Sequence, residues 1–115
     1  MESKELANKI CKVLSDKKAK DIISIHVSDM TIVTDYFVIA SGQSPSQVKG
    51  LYGYVDEELS KIGIEPKRFD GVTDAKWIAI DYGDVIVHIF LEETREFYHL
   101  DNLWDNGTNV EKFID

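Results

Sequence analysis

Apolar positions near the start of the chain recur at helical spacing. Leu6, Ile10 and Val13 share one stripe with Cys11 and Leu14 beside it, which predicts an amphipathic helix over residues 3–18. Lys17, Lys18 and Lys20 follow the stripe and suit the negative end of a helix dipole. The period then shortens to two. "DIISIHV" (21–27) is rich in β-branched residues and predicts a strand, "SDMTIVTD" (28–35) is polar and turn-like, and "YFVIASG" (36–42) is apolar enough for a strand buried on both faces. Helical spacing returns in Val48, Leu51, Tyr52, Val55, Leu59 and Ile62. Ser44 is placed as the N-cap, Pro45 in the first turn, Gln47 as the partner in a Ser-x-x-Gln capping box and Gly63 as the C-terminal stop. "IEPKRFDGVTD" (64–74) accommodates at most one short edge strand, since Pro66 lacks a ladder donor.

"KWIAIDY" and "DVIVHIFL" flank Gly83 and predict a hairpin with Gly83 and Asp84 at the centre of the turn. Tyr82 then faces Val85, Asp81 faces Ile86, Ile80 faces Val87 and Ala79 faces His88. Alternation sorts the side chains. Ile78, Ile80, Tyr82, Val85, Val87, Ile89 and Leu91 form an almost wholly apolar face, the expected core. Trp77, Ala79, Asp81, Ile86, His88 and Phe90 form a mixed face. Either a helix covers part of that face and leaves Asp81 and His88 at a solvated rim, or Trp77 and Phe90 are anchors of an exposed protein-binding surface. "EETREFYHLDNLWD" (92–105) is partly helical in spacing through Phe97, Leu100 and Trp104 and is expected to dock back onto the sheet.

The order helix, strand, strand, helix, hairpin implies an α+β (mixed α/β) fold, a mixed β-sheet with flanking helices. The expected organisation is a single domain over 1–115: N-terminal helix 3–18, core 20–105, short tail 106–115. The N-terminus does not read as a signal peptide, and no stretch approaches the ~18 apolar residues of a membrane span. Lys plus Arg is 13 against 21 Asp plus Glu, a net charge of −8. That excess repels phosphate backbones and makes a basic protein surface the more natural partner. The single Cys11 excludes an intramolecular disulfide and a Cys-based zinc site.

Candidate chemistry is incomplete. Asp81 lies diagonally across from His88, within reach of an Asp–His pair, but no nucleophile stands beside it. His26, His88 and His99 lack metal-ligand spacing, so no metal is expected and a hydrolase at Asp81 and His88 is a remote alternative. "ASGQSPSQ" (40–47) runs strand, glycine, helix N-terminus, which suits an anion. It lacks a Walker lysine or Gly-x-Gly-x-x-Gly run, and the next segment offers only Asp70 toward a metal-holding acid pair. A nucleotide-binding or nucleotidyl-transferring enzyme using the Ser41–Ser46 turn and Asp81 is the alternative reading; no cofactor is expected.

"DYFVIASG", "DYGDVIVHIF" and "REFYHLDNLW", in that order, resemble the ribosomal silencing factor family, RsfS, also called Iojap, over roughly 19–105. The first strand, "ISIHVSDM", departs slightly from the family's more acidic and apolar habit. The resemblance implies a nucleotidyltransferase-like fold without the catalytic acids and a non-enzymatic role in the cytoplasm. It also implies binding of the large ribosomal subunit through its ribosomal protein fourteen, which blocks joining of the small subunit and represses translation when nutrients are scarce. A homodimer is compatible with it. By motif match the partner-binding residues are Trp77, Asp81, Tyr82, His88, Phe90 and Glu92, joined by Asp70 at a position the family usually holds acidic, while Arg95, Tyr98 and Trp104 serve either contact or docking of the tail.

Overall fold

A computed structural model describes residues 1–114. The chain runs α1 (Ser3–Asp16), β1 (Lys20–His26), β2 (Tyr36–Gly42), α2 (Pro45–Ser60), β3 (Arg68–Asp70), β4 (Trp77–Asp81), β5 (Val85–Leu91), α3 (Glu92–Tyr98), α4 (Leu100–Trp104) and β6 (Val110–Lys112). The strands form one mixed sheet in the order β3-β4-β5-β2-β1-β6. The central pair, β2 and β5, is parallel and the others are antiparallel. An α+β architecture with flanking helices is what the element order implied.

Local sequence explains the elements. In α1 the stripe Leu6, Ile10, Cys11, Val13 and Leu14 is buried against the sheet. The helix stops at Asp16, two residues before the expected end, because Lys18 turns into the left-handed region (φ 67°). The N–H groups of Lys17, Lys18 and Ala19 then close back onto the carbonyls of Leu14 and Ser15. In α2, Ser44 Oγ accepts from Gln47 N–H at 3.1 Å, as a capping residue should. Gln47 Oε1 accepts from Gln43 N–H at 2.7 Å, one residue outside the expected reciprocal box. Gly63 (φ 81°) closes the turn after the helix.

The hairpin has the register that the Gly83-Asp84 turn dictates: Asp81 pairs Ile86, Ile80 pairs Val87 and Ala79 pairs His88. Gly83 sits at φ 92°, a conformation that costs a side-chain-bearing residue. Ile78, Ile80, Val85, Val87 and Ile89 are fully buried beneath α1 and α2 and form the main core. Each such side chain contributes ~1.5–3 kcal/mol of transfer free energy.

One strand was not foreseen. Residues 106–115 are expected as a tail, of which Asp115 lies outside the described residues, yet Val110–Lys112 pairs antiparallel with the edge of β1, Ile25 with Val110 and Ile23 with Lys112. Three residues are too few to show alternation. The strand is held in place by Asn109, whose amide donates to His26 O at 3.0 Å and Trp104 O at 2.9 Å.

Candidate functional site

The mixed face of the sheet is divided in two. Leu100, Trp104 and Val110 pack over Ile23, Ile25, Val27, Phe37, Ile39 and Phe90, closing the half above β1 and β2. The rings of Phe37 and Trp104 meet edge-on at 5.1 Å. The half above β3–β5 stays open, with Trp77, Ala79, Asp81 and Ile86 each half-buried. Strand pairing brings Arg68 beside Asp81 and Asp70 beside Ala79 on the same strip.

Several expected contact residues are therefore not at the surface. Phe90, expected as an anchor, is 0% exposed, because Trp77 stacks on it at 4.8 Å and the tail covers the rest. Tyr82 belongs to the opposite, helix-covered face; it is buried and its hydroxyl finds no hydrogen-bond partner among the described residues. Burial pushes the Tyr82 phenol up, helped by the negative charge of Asp56. His88 is buried too. Its Nδ1 accepts the Trp77 indole N–H at 3.0 Å, which places the ring proton on Nε2, a group without a protein partner among the described residues. Burial lowers the imidazole to about 4.

Asp81 and His88 do not form the dyad that their diagonal placement allowed. Asp81 Oδ1 accepts from Gly83 N–H at 2.8 Å and Oδ2 faces Arg68 Nε at 3.3 Å, so this carboxylate fastens the hairpin turn to the edge strand. Asp70 and Glu92 are exposed, Asp70 on β3 and Glu92 at the start of α3. Among the described residues no three His, Cys, Asp or Glu side chains come together as a metal could use them. The Ser41–Ser46 turn lies at the end of β2 where Ser41 pairs Phe90, whereas Asp81 pairs Ile86 at the other end of β5. The alternative nucleotide site is thus not assembled.

Arg95 is the tie that docks the tail. Its guanidinium donates to Asp101 Oδ2 from Nη2 at 2.9 Å and from Nε at 3.3 Å, to Asp21 O at 2.7 Å and to Ser41 Oγ at 2.9 Å. Of the residues left between contact and docking, Arg95 and Trp104 hold the tail. Tyr98 is exposed and leans on Trp77 at 5.2 Å. Sequence reasoning missed the cleft beside it, about 540 Å³, where Lys76, Trp77, Glu93, Phe97 and Tyr98 meet. Only the docking of α3 against the β3–β4 connection creates it, although the aromatic pair Phe97-Tyr98 was visible. A larger cleft of about 790 Å³ surrounds Arg95.

A mixed-sheet α+β domain, one face closed by long helices and the other half covered by its own tail with an aromatic and charged strip left open, is the class these features define. The family model described as "Ribosomal silencing factor during starvation" matches residues 1–114, and the chain belongs to that family. It is 33% identical to ribosomal silencing factor RsfS of Halalkalibacterium halodurans over 111 residues, 96% of this chain and 95% of that one. It is likewise 33% identical to RsfS of Bacillus subtilis over 107 residues, 93% of this chain and 91% of that one. A crystal structure of a Chromobacterium violaceum protein superposes with a TM-score of 0.89 at 31% identity, covering all (100%) of this chain and 95% of that one.

Proposed function

We propose that this chain binds the large ribosomal subunit through ribosomal protein fourteen, by the open half of the sheet face, and represses translation by standing where the small subunit would join. The role is non-catalytic and cytoplasmic. The observation that carries it is the open strip itself: the half-buried indole of Trp77, the small Ala79 and the branched Ile86, rimmed by Asp70, Asp81 and the exposed Arg68 that pairs with Asp81. A partly apolar centre with a charged rim is the composition of a protein contact. The net charge of −8 favours encounter with a basic ribosomal protein. In this reading Trp77, Asp70 and Asp81 touch the partner, while Glu92, which lines the cleft around Arg95, lies off this strip. His88 and Phe90 stiffen Trp77 from below, and Tyr82 anchors the strand from the core side.

The test is Ala79→Arg combined with Asp70→Lys. Both side chains lie outside the core, so the melting temperature should stay within about 2 °C of wild type, as surface changes usually do. Capture of ribosomal protein fourteen and co-sedimentation with large subunits should both weaken at least tenfold, and subunit joining followed by light scattering should no longer be inhibited. Undiminished binding by the folded variant sinks the assignment of this face.

A further inference from the structure

The loop joining β1 to β2, residues 27–35, presents apolar side chains to water from a fixed backbone. Ile32 is 104% exposed and Val33 62% exposed. Two neighbouring branched residues in that state would carry little meaning on a floppy loop, but this loop is pinned at both flanks, and Val33 N–H bonds to Thr31 Oγ1 at 3.1 Å. Met30 and Thr31 N–H bond to Val27 O at 2.9 and 3.1 Å, and Val27 N–H bonds to Asp35 O at 2.8 Å. Thr34 is buried, and Ser3 Oγ donates to Asp35 Oδ2 at 2.7 Å. The N–H groups of Asp35 and Tyr36 both reach Asp84 O, at 3.0 and 3.1 Å, which knits the loop to the turn of the β4–β5 hairpin. The same hairpin carries Asp81 and Ile86 on the open strip.

An apolar knob whose backbone is already ordered loses little entropy when it is buried in a partner. Its surroundings say what kind of partner. "SDMTIVTD" contains no cation, and Asp29, Asp35 and the hairpin's Asp84 stand close to the knob in the chain or in the fold; Lys4, which lines a cleft with Asp29 and Met30, leaves the surroundings with an acidic excess. That rim repels a phosphate backbone and complements Lys and Arg side chains. We propose that Ile32 and Val33 are a second anchor, inserting into an apolar recess of the same basic protein partner while Asp29, Asp35 and Asp84 face its cations. The proposal rests on the reading of the open strip as the docking face and extends that surface round the hairpin turn.

The experiment uses the full chain and purified large ribosomal subunits, with Ile32→Ser/Val33→Ser and Ala79→Arg measured side by side. The loop variant should keep the wild-type melting temperature and bind large subunits at least about tenfold more weakly, as loss of an anchoring contact does. Wild-type binding by the loop variant, with binding lost in Ala79→Arg, overturns the loop anchor and leaves the open strip standing. Loss in the loop variant with full binding by Ala79→Arg overturns the strip and, with it, the shared surface on which this proposal rests. If wild type alone sediments as a dimer that the loop substitutions dissociate, the occupant is a second copy and the proposal fails. It fails equally if the loop substitutions abolish binding to protein-free ribosomal RNA.

Discussion

Replacing Arg95 by Met keeps the aliphatic stem and removes the guanidinium. Four hydrogen bonds disappear, two to Asp101 and one each to Asp21 O and Ser41 Oγ. The Arg95 side chain is 12% exposed and that of Asp101 30% exposed, so the pair lies between the surface and the buried regimes. Exposed ion pairs contribute ~0–1 kcal/mol, whereas removing one member of a buried pair costs ~3–5 kcal/mol. Asp101 regains water once the tail loosens, but Ser41 stays buried, so a loss of about 2–4 kcal/mol is expected for Arg95→Met. Against a total stability of ~5–15 kcal/mol that is a large fraction, and at this chain length it corresponds to a fall in melting temperature of roughly 10 °C.

The assay is urea unfolding followed by far-ultraviolet circular dichroism and by tryptophan fluorescence, since Trp104 lies on the docked tail and Trp77 beside it. Hydrogen exchange over residues 100–112 should quicken before the rest of the sheet opens. Arg95→Lys should restore less than half of the loss, because an ammonium cannot serve Asp101, Asp21 and Ser41 from one fork. A loss below about 0.5 kcal/mol for Arg95→Met, or full restoration by Lys, would refute the tie as the element that closes half of the face; both lie outside the range expected for a partly buried, bridging guanidinium.

Further outcomes follow from single contacts. Because burial holds His88 at about 4 against an ordinary 6.5, the unfolded chain binds its proton first as pH falls. The contribution of neutral His88 is complete above about pH 6.5 and declines between 6.5 and 4, by on the order of 3 kcal/mol, and His88→Leu should flatten that slope in urea midpoints taken across the window. Trp77→Phe removes the indole N–H and leaves His88 Nδ1 unpaired, a cost of about 1–3 kcal/mol. A double-mutant cycle with His88→Leu should show coupling of ~1 kcal/mol, and simple additivity would contradict the hydrogen bond. A Cβ on Gly71 would lie 2.0 Å from Trp77 O at a backbone φ of +83°, so Gly71→Ala should lower stability by at least ~2 kcal/mol and shift the Trp77 fluorescence. Burial, with Glu111 adding to it, raises the Cys11 thiol to about 12, so the native protein should leave a thiol reagent unreacted at pH 8 until denaturant is added.

Much of this molecule follows from residues close together in the chain. The stripe of α1, the Ser44 cap and Gly63 stop of α2, and the register of β4 on β5 each depend on a few neighbouring positions, and each is found in the fold. Alternation also sorted Ile78, Ile80, Val87 and Ile89 onto the core face correctly. Periodicity names the face of a side chain, but not what lies over that face. Trp77 and Phe90 share one side of the hairpin, yet one is half-open and the other sealed. Asp81 and His88 could have met diagonally, yet a turn amide, an edge-strand arginine and an indole took their valences instead.

Sequence alone determined the local elements, the two faces of the hairpin and an acidic chain whose motifs match one family. Tertiary structure decided which part of the mixed face meets solvent, because its cover comes from residues 100–113, a segment with too few turns to announce its partner. What holds it there is a guanidinium that reaches from position 95 to Ser41, 54 residues earlier, and no local pattern can specify a contact of that separation.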